Sequence, residues 1–353
     1  NKLLQTIHDF LIVEPEAKVL DNNQEDDISN PFKQYEGRRI DQVKIRQLNV
    51  FGSSFEDSVN LDITWYKEFA NWMHISTREA IIQENLLFEV GEEIDPKLLA
   101  DNERILRRLN FLKDARILVN ASDSQNVELV VVTQDVWSKG FNVDMSSIYA
   151  GNVELFDNNI FGIGHRLQTN FVIDYLRPDN PGFEGFYKID NLLGTFINGR
   201  FSFQDVFEDR HYGLQFSRDF FSYKTNWVGG LQANKHDIRK NINKIDTTLQ
   251  NTHLEYVEHD FWLGYGFQKK KKSRLFQERN RLVISARYNL NRFIEGPEIS
   301  ERYNYQYHDN YVFLGNISFS RQNFYKSSLI YGFGRTEDIP VGDLIGYTFG
   351  WEV

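Results

Sequence analysis

The feature that most constrains the fold is an alternation of apolar and polar side chains that recurs from about residue 139 to the end of the chain. In the segment 281–290, for example, Leu282, Ile284 and Ala286 alternate with Val283, Ser285 and Arg287. A period of two residues predicts β-strands whose two faces differ chemically. About ten such segments occur, near residues 141–149, 163–176, 192–206, 210–220, 223–235, 253–268, 279–293, 309–324, 326–335 and 344–353.

The chemistry of the two faces favours an antiparallel transmembrane β-barrel. One face carries Phe, Tyr, Leu and Ile, and the other carries Arg, Gln, Asn, Ser and Gly, as a lipid-facing band and a polar lumen require. No apolar run approaches the roughly 20 residues that a membrane helix needs. Connection length also differs between the two ends of the strands. Long connections, which predict outer loops, occur at 150–162, 236–252, 294–308 and 336–343, and tight turns, which predict periplasmic turns, occur at 221–222 and 325–326. The stretches 177–191 and 269–280 do not fit this asymmetry, because they are long but fall on the side of the tight turns. The alternative is a soluble barrel or sandwich.

The pattern is different before this region. Residues 37–138 predict a small α+β domain of order β-α-α-β-β, with a three-stranded sheet and two helices on one face. Ser76 to Glu79 resembles a capping box, which predicts Ser76 as the cap of the first helix. Asp95 and Pro96 predict the N-cap and first residue of the second helix. Residues 1–36 form a polar lead-in, either a terminal tail or the end of a preceding domain.

Composition argues against several kinds of chemistry. The chain has 353 residues, no cysteine and a net charge of −10, which disfavours thiol chemistry and nucleic-acid binding. Its densest group of possible ligands, around His253 and His259, alternates along a strand and so divides between two faces. We find no nucleophile elbow and no phosphate-binding loop, and Lys269 to Lys272 is expected to be a solvated turn. The sequence therefore predicts no catalytic residue, no metal and no cofactor.

Several segments together resemble the BamA-like outer-membrane assembly and translocation superfamily, in a form similar to Bacteroidetes proteins. Leu86 to Asp95 and Asp101 to Arg116 are similar to the helical part of a POTRA domain, the periplasmic module of that superfamily. A barrel motif at Asn159, Phe161, Gly162 and Gly164 resembles the start of its barrel, and 332–340 is similar to a later stretch. The Arg-Gly dipeptide of the superfamily's inward loop is absent. Its barrels have about sixteen strands, so we expect an N-terminal portion of such a barrel, or else a closed barrel of about ten strands.

The resemblance implies an outer-membrane protein whose POTRA domain lies in the periplasm and which inserts or translocates β-rich proteins. Clients would add to the POTRA edge strand at Arg116, Ile117, Leu118 and Val119 and then reach a lateral seam at the first barrel strand, at Phe141, Asn142, Val143, Asp144 and Met145. The implied partners are outer-membrane lipids, unfolded barrel or secreted clients, and periplasmic or lipoprotein helper subunits. The alternatives are a dedicated secretion pore for one client and a structural or passive barrel.

Overall fold

The computed structural model describes residues 30–50, 74–177, 179–243, 249–268, 280–300, 303–328 and 336–353. Most of the lead-in, the four-lysine run and residues 332–335 lie outside this range. The described residues form a three-stranded sheet and an eleven-stranded sheet.

The three-stranded sheet and two helices make up what we call the small unit. It contains β1 (Arg39–Leu48), α1 (Glu79–Gln83), α2 (Pro96–Arg108), β2 (Leu112–Ala121) and β3 (Asn126–Asp135). The strand order is β1-β3-β2, with β1 parallel and β2 antiparallel to the central β3. Within the described residues, the elements follow the predicted order β-α-α-β-β, and β2 lies at an edge of this sheet.

A continuous apolar core holds the helices on the sheet. Ile82 of α1 and Leu99 and Leu106 of α2 are buried with Leu129 and Val131 of β3. Each of these side chains is 0 or 1% exposed, and burying one contributes about 1.5–3 kcal/mol. Alternation along β3 and helical spacing along α2 therefore direct their apolar residues into one layer.

The two helix starts test local capping rules. Asp95 caps α2 as predicted, because its Oδ1 accepts from the backbone N–H groups of Lys97 and Leu98 at 3.1 and 3.2 Å. The prediction for α1 is wrong, since the helix begins two residues later than predicted and Arg78 is its N-cap. The Arg78 N–H donates to the Gly162 carbonyl at 2.8 Å, so a tertiary contact takes the place of the local cap.

The large sheet is antiparallel, and its strands are adjacent in chain order. They are β4 (Lys139–Met145), β5 (Ala150–Asp157), β6 (His165–Asp174), β7 (Gly182–Ile189), β8 (Asn198–Val206), β9 (Asp209–Arg218), β10 (Trp227–Asn243), β11 (Leu249–Phe267), β12 (Asn280–Glu295), β13 (Asn310–Ser328) and β14 (Thr336–Glu352). Within the described part of the chain, β4 and β14 are the two edges.

Several details of the strand prediction are wrong: β10 continues to Asn243 and β14 begins at Thr336, both inside segments that were predicted as connections. Strands β5 and β7 occupy segments that were predicted as long connections, because glycines interrupt their apolar pattern. The predicted turn at Tyr325 and Lys326 lies inside β13, where these residues pair with Ile339 and Asp338.

The predicted asymmetry of connection length is also wrong. Connections 158–164, 190–197 and 219–226, on the side of the small unit, exceed the two-residue connection 207–208 on the far side, and only the far-side connection 296–309, among those described, is long as predicted. We call the side of the small unit the near end of the sheet. These near-end connections are long because they carry the residues that attach the small unit.

Among the residues that the structure describes, the β13–β14 hairpin extends beyond the other strands at this end. The β12–β13 pairing reaches Asn280 and Arg321, whereas the β13–β14 pairing continues to Ser328 and Thr336. We call residues 322–328 and 336–342 the β13–β14 arm.

Candidate functional site

The two faces of the large sheet are chemically distinct along nearly every strand. On the polar face, Asn142 and Gln168 donate to Glu154 at 2.9 and 2.7 Å, and Arg287 donates to Asp260 at 2.7 Å. Such cross-strand pairs tie neighbouring strands together. This face therefore carries a ladder of cross-strand polar pairs.

The opposite face is apolar and exposed. Aromatic rings pack across strands, with centroids 5.1 Å apart for Phe171 and Phe183 and 4.9 Å apart for Tyr288 and Phe313. Large side chains remain accessible there, including Ile345 at 73%. Exposed apolar patches of this extent are rare on monomeric soluble proteins, so this face requires an apolar environment.

The predicted barrel motif forms a near-end turn that attaches β5 and β6 to α1. Asn159 is 2% exposed; its Nδ2 donates to Thr77 Oγ1 at 2.8 Å, and its Oδ1 accepts from the Gly164 N–H at 2.7 Å. Gly162 has a φ of +73°, and a Cβ there would stand 2.4 Å from the Ser76 carbonyl oxygen. Phe161 is 68% exposed. The glycines thus permit this turn to pack closely on the small unit.

A second turn of the same design was missed in the sequence. Asn191 donates through Nδ2 to the Glu84 carbonyl at 2.8 Å and to Asn85 Oδ1 at 3.0 Å, at the end of α1. Its sequence Asn-Leu-Leu-Gly repeats the Asn-Ile-Phe-Gly of the first turn, and both contain a short 3-10 helix. This recurrence of the motif in the sequence could have identified the second turn.

The third near-end turn attaches to α2. The Tyr223 N–H donates to Asp101 Oδ2 at 2.9 Å, its hydroxyl donates to Asp95 Oδ2, and Lys224 Nζ lies 3.0 Å from the same carboxylate. Burial acts to raise the pKa of Asp95, but the hydrogen bonds from Tyr223 and Lys224 outweigh it and hold that pKa below its ordinary value. Asp95 therefore both caps α2 and binds the large sheet.

The predicted client-binding residues lie on β2, at the edge of the small sheet. Backbone groups alternate in direction along a strand, and the residues whose groups face outward are Ala115 and Ile117. Ile117 N–H donates to Glu103 Oε1 at 2.8 Å, and the Ala115 carbonyl accepts from Arg107 Nη1 at 3.2 Å. By the same alternation the backbone of Arg116 and Leu118 faces β3, and that of Val119 faces outward.

The β13–β14 arm meets the same two α2 side chains. Arg107 donates to both oxygens of Asp338 at 2.8 and 2.7 Å, and Lys326 Nζ lies 2.8 Å from Glu103 Oε2. Thr336 also donates to Asp114 Oδ2 at 3.0 Å. Burial acts to lower the pKa of Arg107, but the Asp338 carboxylate raises it further, so the guanidinium stays charged.

Helix α2 lies against the near end of the polar face. Arg104 stacks on the Phe324 ring with its guanidinium carbon 3.7 Å from the ring centroid, and its Nη2 donates to the Phe221 carbonyl at 3.1 Å. A cavity of about 690 Å³ separates α2 from β12–β14, and its lining includes Arg281 and Gln322. The small unit thus covers this end of the polar face while leaving a space beneath it that charged and aromatic side chains line.

The predicted seam residues Phe141, Asn142, Val143, Asp144 and Met145 lie on β4, which pairs only with β5 in the described part of the chain. Phe141, Val143 and Met145 point to the apolar face and are 71, 58 and 67% exposed. The two predicted sites therefore lie on edge strands of two different sheets.

Among the described residues, no group of three or more histidine or acidic side chains could hold a metal ion. The described helices are all too short or too polar to cross a membrane.

Comparison with known proteins gives structural similarity alone. No protein-family model and no curated protein matches the chain. Among solved structures, BamA from Haemophilus ducreyi lacking POTRA domains 1–3 is 11% identical, with a TM-score of 0.34 over 84% of this chain and 60% of that one. CdiB from Escherichia coli is 11% identical, with a TM-score of 0.41 over 81% and 51%. CdiB from Acinetobacter baumannii is 11% identical, with a TM-score of 0.37 over 99% and 68%.

This chain spans 60% and 51% of the first two of those structures. At 11% identity and these TM-scores, the similarity says nothing about function, which is inferred below from the chain's own geometry.

Proposed function

We propose that this protein is an outer-membrane assembly or translocation factor, with its large sheet forming part of a barrel wall and its small unit acting as a periplasmic POTRA domain. The observation that carries the proposal is the exposed apolar face of an eleven-stranded antiparallel sheet whose other face is polar. Lipid is the environment that suits such a face, because the strands of a transmembrane barrel present an apolar band to the bilayer and polar side chains to the interior.

Client binding is proposed to rest on backbone pairing. An edge strand presents N–H and C=O groups that an extended polypeptide can pair with, whatever its side chains. Strand β2 supplies such an edge in the small unit, at Arg116 to Val119, and β4 supplies one in the large sheet, at Phe141 to Met145. A client would add first to β2 and then to the β4 seam, with no nucleotide or metal involved.

The attachment of the small unit favours protein handling over a passive barrel. Three turns and the β13–β14 arm bind α1 and α2, and α2 lies across the near end of the polar face. A passive pore gains nothing from a domain that covers its opening. A dedicated secretion pore for one client shares the whole arrangement, and it is the second candidate.

Depletion of the protein followed by quantitative outer-membrane proteomics separates the candidates. A general assembly factor predicts a broad loss of barrel proteins, whereas a dedicated pore predicts the loss of one secreted or surface protein. An unchanged proteome would contradict both.

The β2 edge is tested by a substitution that removes one outward-facing N–H. Val119→Pro removes such a group without breaking the β2–β3 ladder, because the Val119 N–H faces away from β3. Leu118→Ala is the matched control, since it changes an exposed neighbour and leaves every edge group in place. We expect Val119→Pro, and not the control, to reproduce the depletion phenotype; equal client levels in both strains would refute a role for this edge.

A further inference from the structure

We propose that the β2 edge is held closed by a latch, formed by Glu103 and Arg107 of α2 and fastened by Lys326 and Asp338 of the β13–β14 arm. An extended client would then add to β2 only after the arm releases these two side chains. This inference rests on the proposed function, because it assigns regulation to the same edge.

The latch occupies the groups that a client strand needs. Strand addition uses alternate residues of the edge, each offering its N–H and C=O outward. The Ile117 N–H is already bonded to Glu103, and the Ala115 carbonyl to Arg107. A client must displace these side chains, and its own backbone then supplies equivalent hydrogen bonds.

The two side chains do not leave easily by themselves. Glu103 and Arg107 are 5 and 2% exposed and lie 3.3 Å from each other. A buried charge that loses its partner is strongly unfavourable, so neither can withdraw alone. Edge opening is therefore a concerted change of both.

The β13–β14 arm supplies a second charged partner to each of these two side chains. Lys326 reaches Glu103 at 2.8 Å, and Asp338 makes a two-point contact with Arg107. Fork-to-fork pairs of this kind are among the stronger hydrogen-bonded contacts. Because the arm belongs to β13 and β14, a displacement of these two strands would withdraw both partners at once and couple the strands to the β2 edge.

The latch is tested with two arm variants and a control on the same strand. Asp338→Asn weakens the contact with Arg107, and Lys326→Met removes the contact with Glu103; neither residue bonds to the β2 backbone. Asp343→Asn is the matched control, because Asp343 pairs with Arg321 at 3.6 Å on the same hairpin and its side chain is 68% exposed.

Two readouts separate the latch from client binding. Hydrogen exchange followed by mass spectrometry reports opening at residues 115–119. A photo-crosslinker at Leu118, which is 50% exposed, reports capture of a biotinylated synthetic peptide with the sequence of residues 280–291, an alternating strand. Both are measured on the full chain folded in detergent.

We expect about tenfold faster exchange at 115–119 and a comparable gain in crosslinking in both arm variants, with no change in Asp343→Asn. Unchanged exchange and equal crosslinking in all proteins would overturn the latch. Faster exchange with no peptide captured by any variant would leave the latch standing and refute β-augmentation at this edge.

Discussion

The attachment of the small unit is most sharply tested at Asn159, because its hydrogen bonds are few and fully buried. Asn159→Ala removes the acceptor of the Gly164 N–H and the donor to Thr77. A buried N–H left without a partner costs about 1–3 kcal/mol, whereas Thr77 loses only an ordinary bond. Thr77 still donates to Asp135 Oδ1 at 3.0 Å. We therefore expect the free energy of unfolding of the small unit to fall by about 2–4 kcal/mol.

A second substitution at this position separates hydrogen bonding from volume. Asn159→Asp keeps the shape and can still accept from Gly164, but its second oxygen would face Thr77 Oγ1, whose proton is already donated to Asp135. It also places a second carboxylate near Asp135. We expect a loss of stability similar to that of the alanine variant, although the volume is unchanged.

The assay is differential scanning calorimetry of the protein folded in detergent. For a domain of about 100 residues, each kcal/mol lowers the Tm by roughly 4–8 °C, so Asn159→Ala should lower the transition of the small unit by about 8 °C or more. Asn142→Ala is the control, because Asn142 is exposed and makes one bond, to Glu154. A shift at Asn159 no larger than at Asn142 would refute the view that this turn anchors the unit.

Two further predictions concern acid stability and the apolar face. The pKa of Asp95 is lowered in the folded protein, so its contribution is complete above the unfolded pKa of about 3.8 and is lost as the pH falls through the lower folded value. Lowering the pH from 5 to 3 should therefore lower the Tm of the wild type more than the Tm of Asp95→Asn, as measured by thermal unfolding at each pH. Equal decreases in Tm would contradict the role of Asp95. On β12, Ile284→Lys places a charge on the apolar face at a cost of about 2–4 kcal/mol near the midplane of a bilayer, whereas Ser285→Lys faces the polar side. Heat-dependent electrophoretic mobility after folding into phospholipid vesicles should show a reduced folded fraction for Ile284→Lys alone, and equal fractions would argue against lipid contact at this face.

Local sequence patterns predicted much of the fold. The period of two residues identified most strands of the large sheet, because side-chain direction along a strand depends only on the backbone. The α2 start was predictable for a similar reason, since Asp95 accepts from amides two and three residues away. Strand β7 was not predicted, because Gly185 interrupts its apolar alternation. A Cβ at this position would stand 2.3 Å from the Gln168 carbonyl oxygen. The neighbouring strand thus requires a glycine that the local pattern cannot explain.

The candidate site, by contrast, was decided by contacts between distant parts of the chain. Sequence reasoning identified β2 as an edge by resemblance, but it could not show that α2 side chains already bond to that edge. Arg107 and Asp338 are 231 positions apart, and Lys326 and Glu103 are 223 apart. An isolated charged residue on a helix usually faces solvent, and nothing within a few positions distinguishes Glu103 or Arg107 from their neighbours. Only the tertiary structure brings the arm, α2 and β2 together, because burial of both charges depends on partners that the fold supplies from its last two strands.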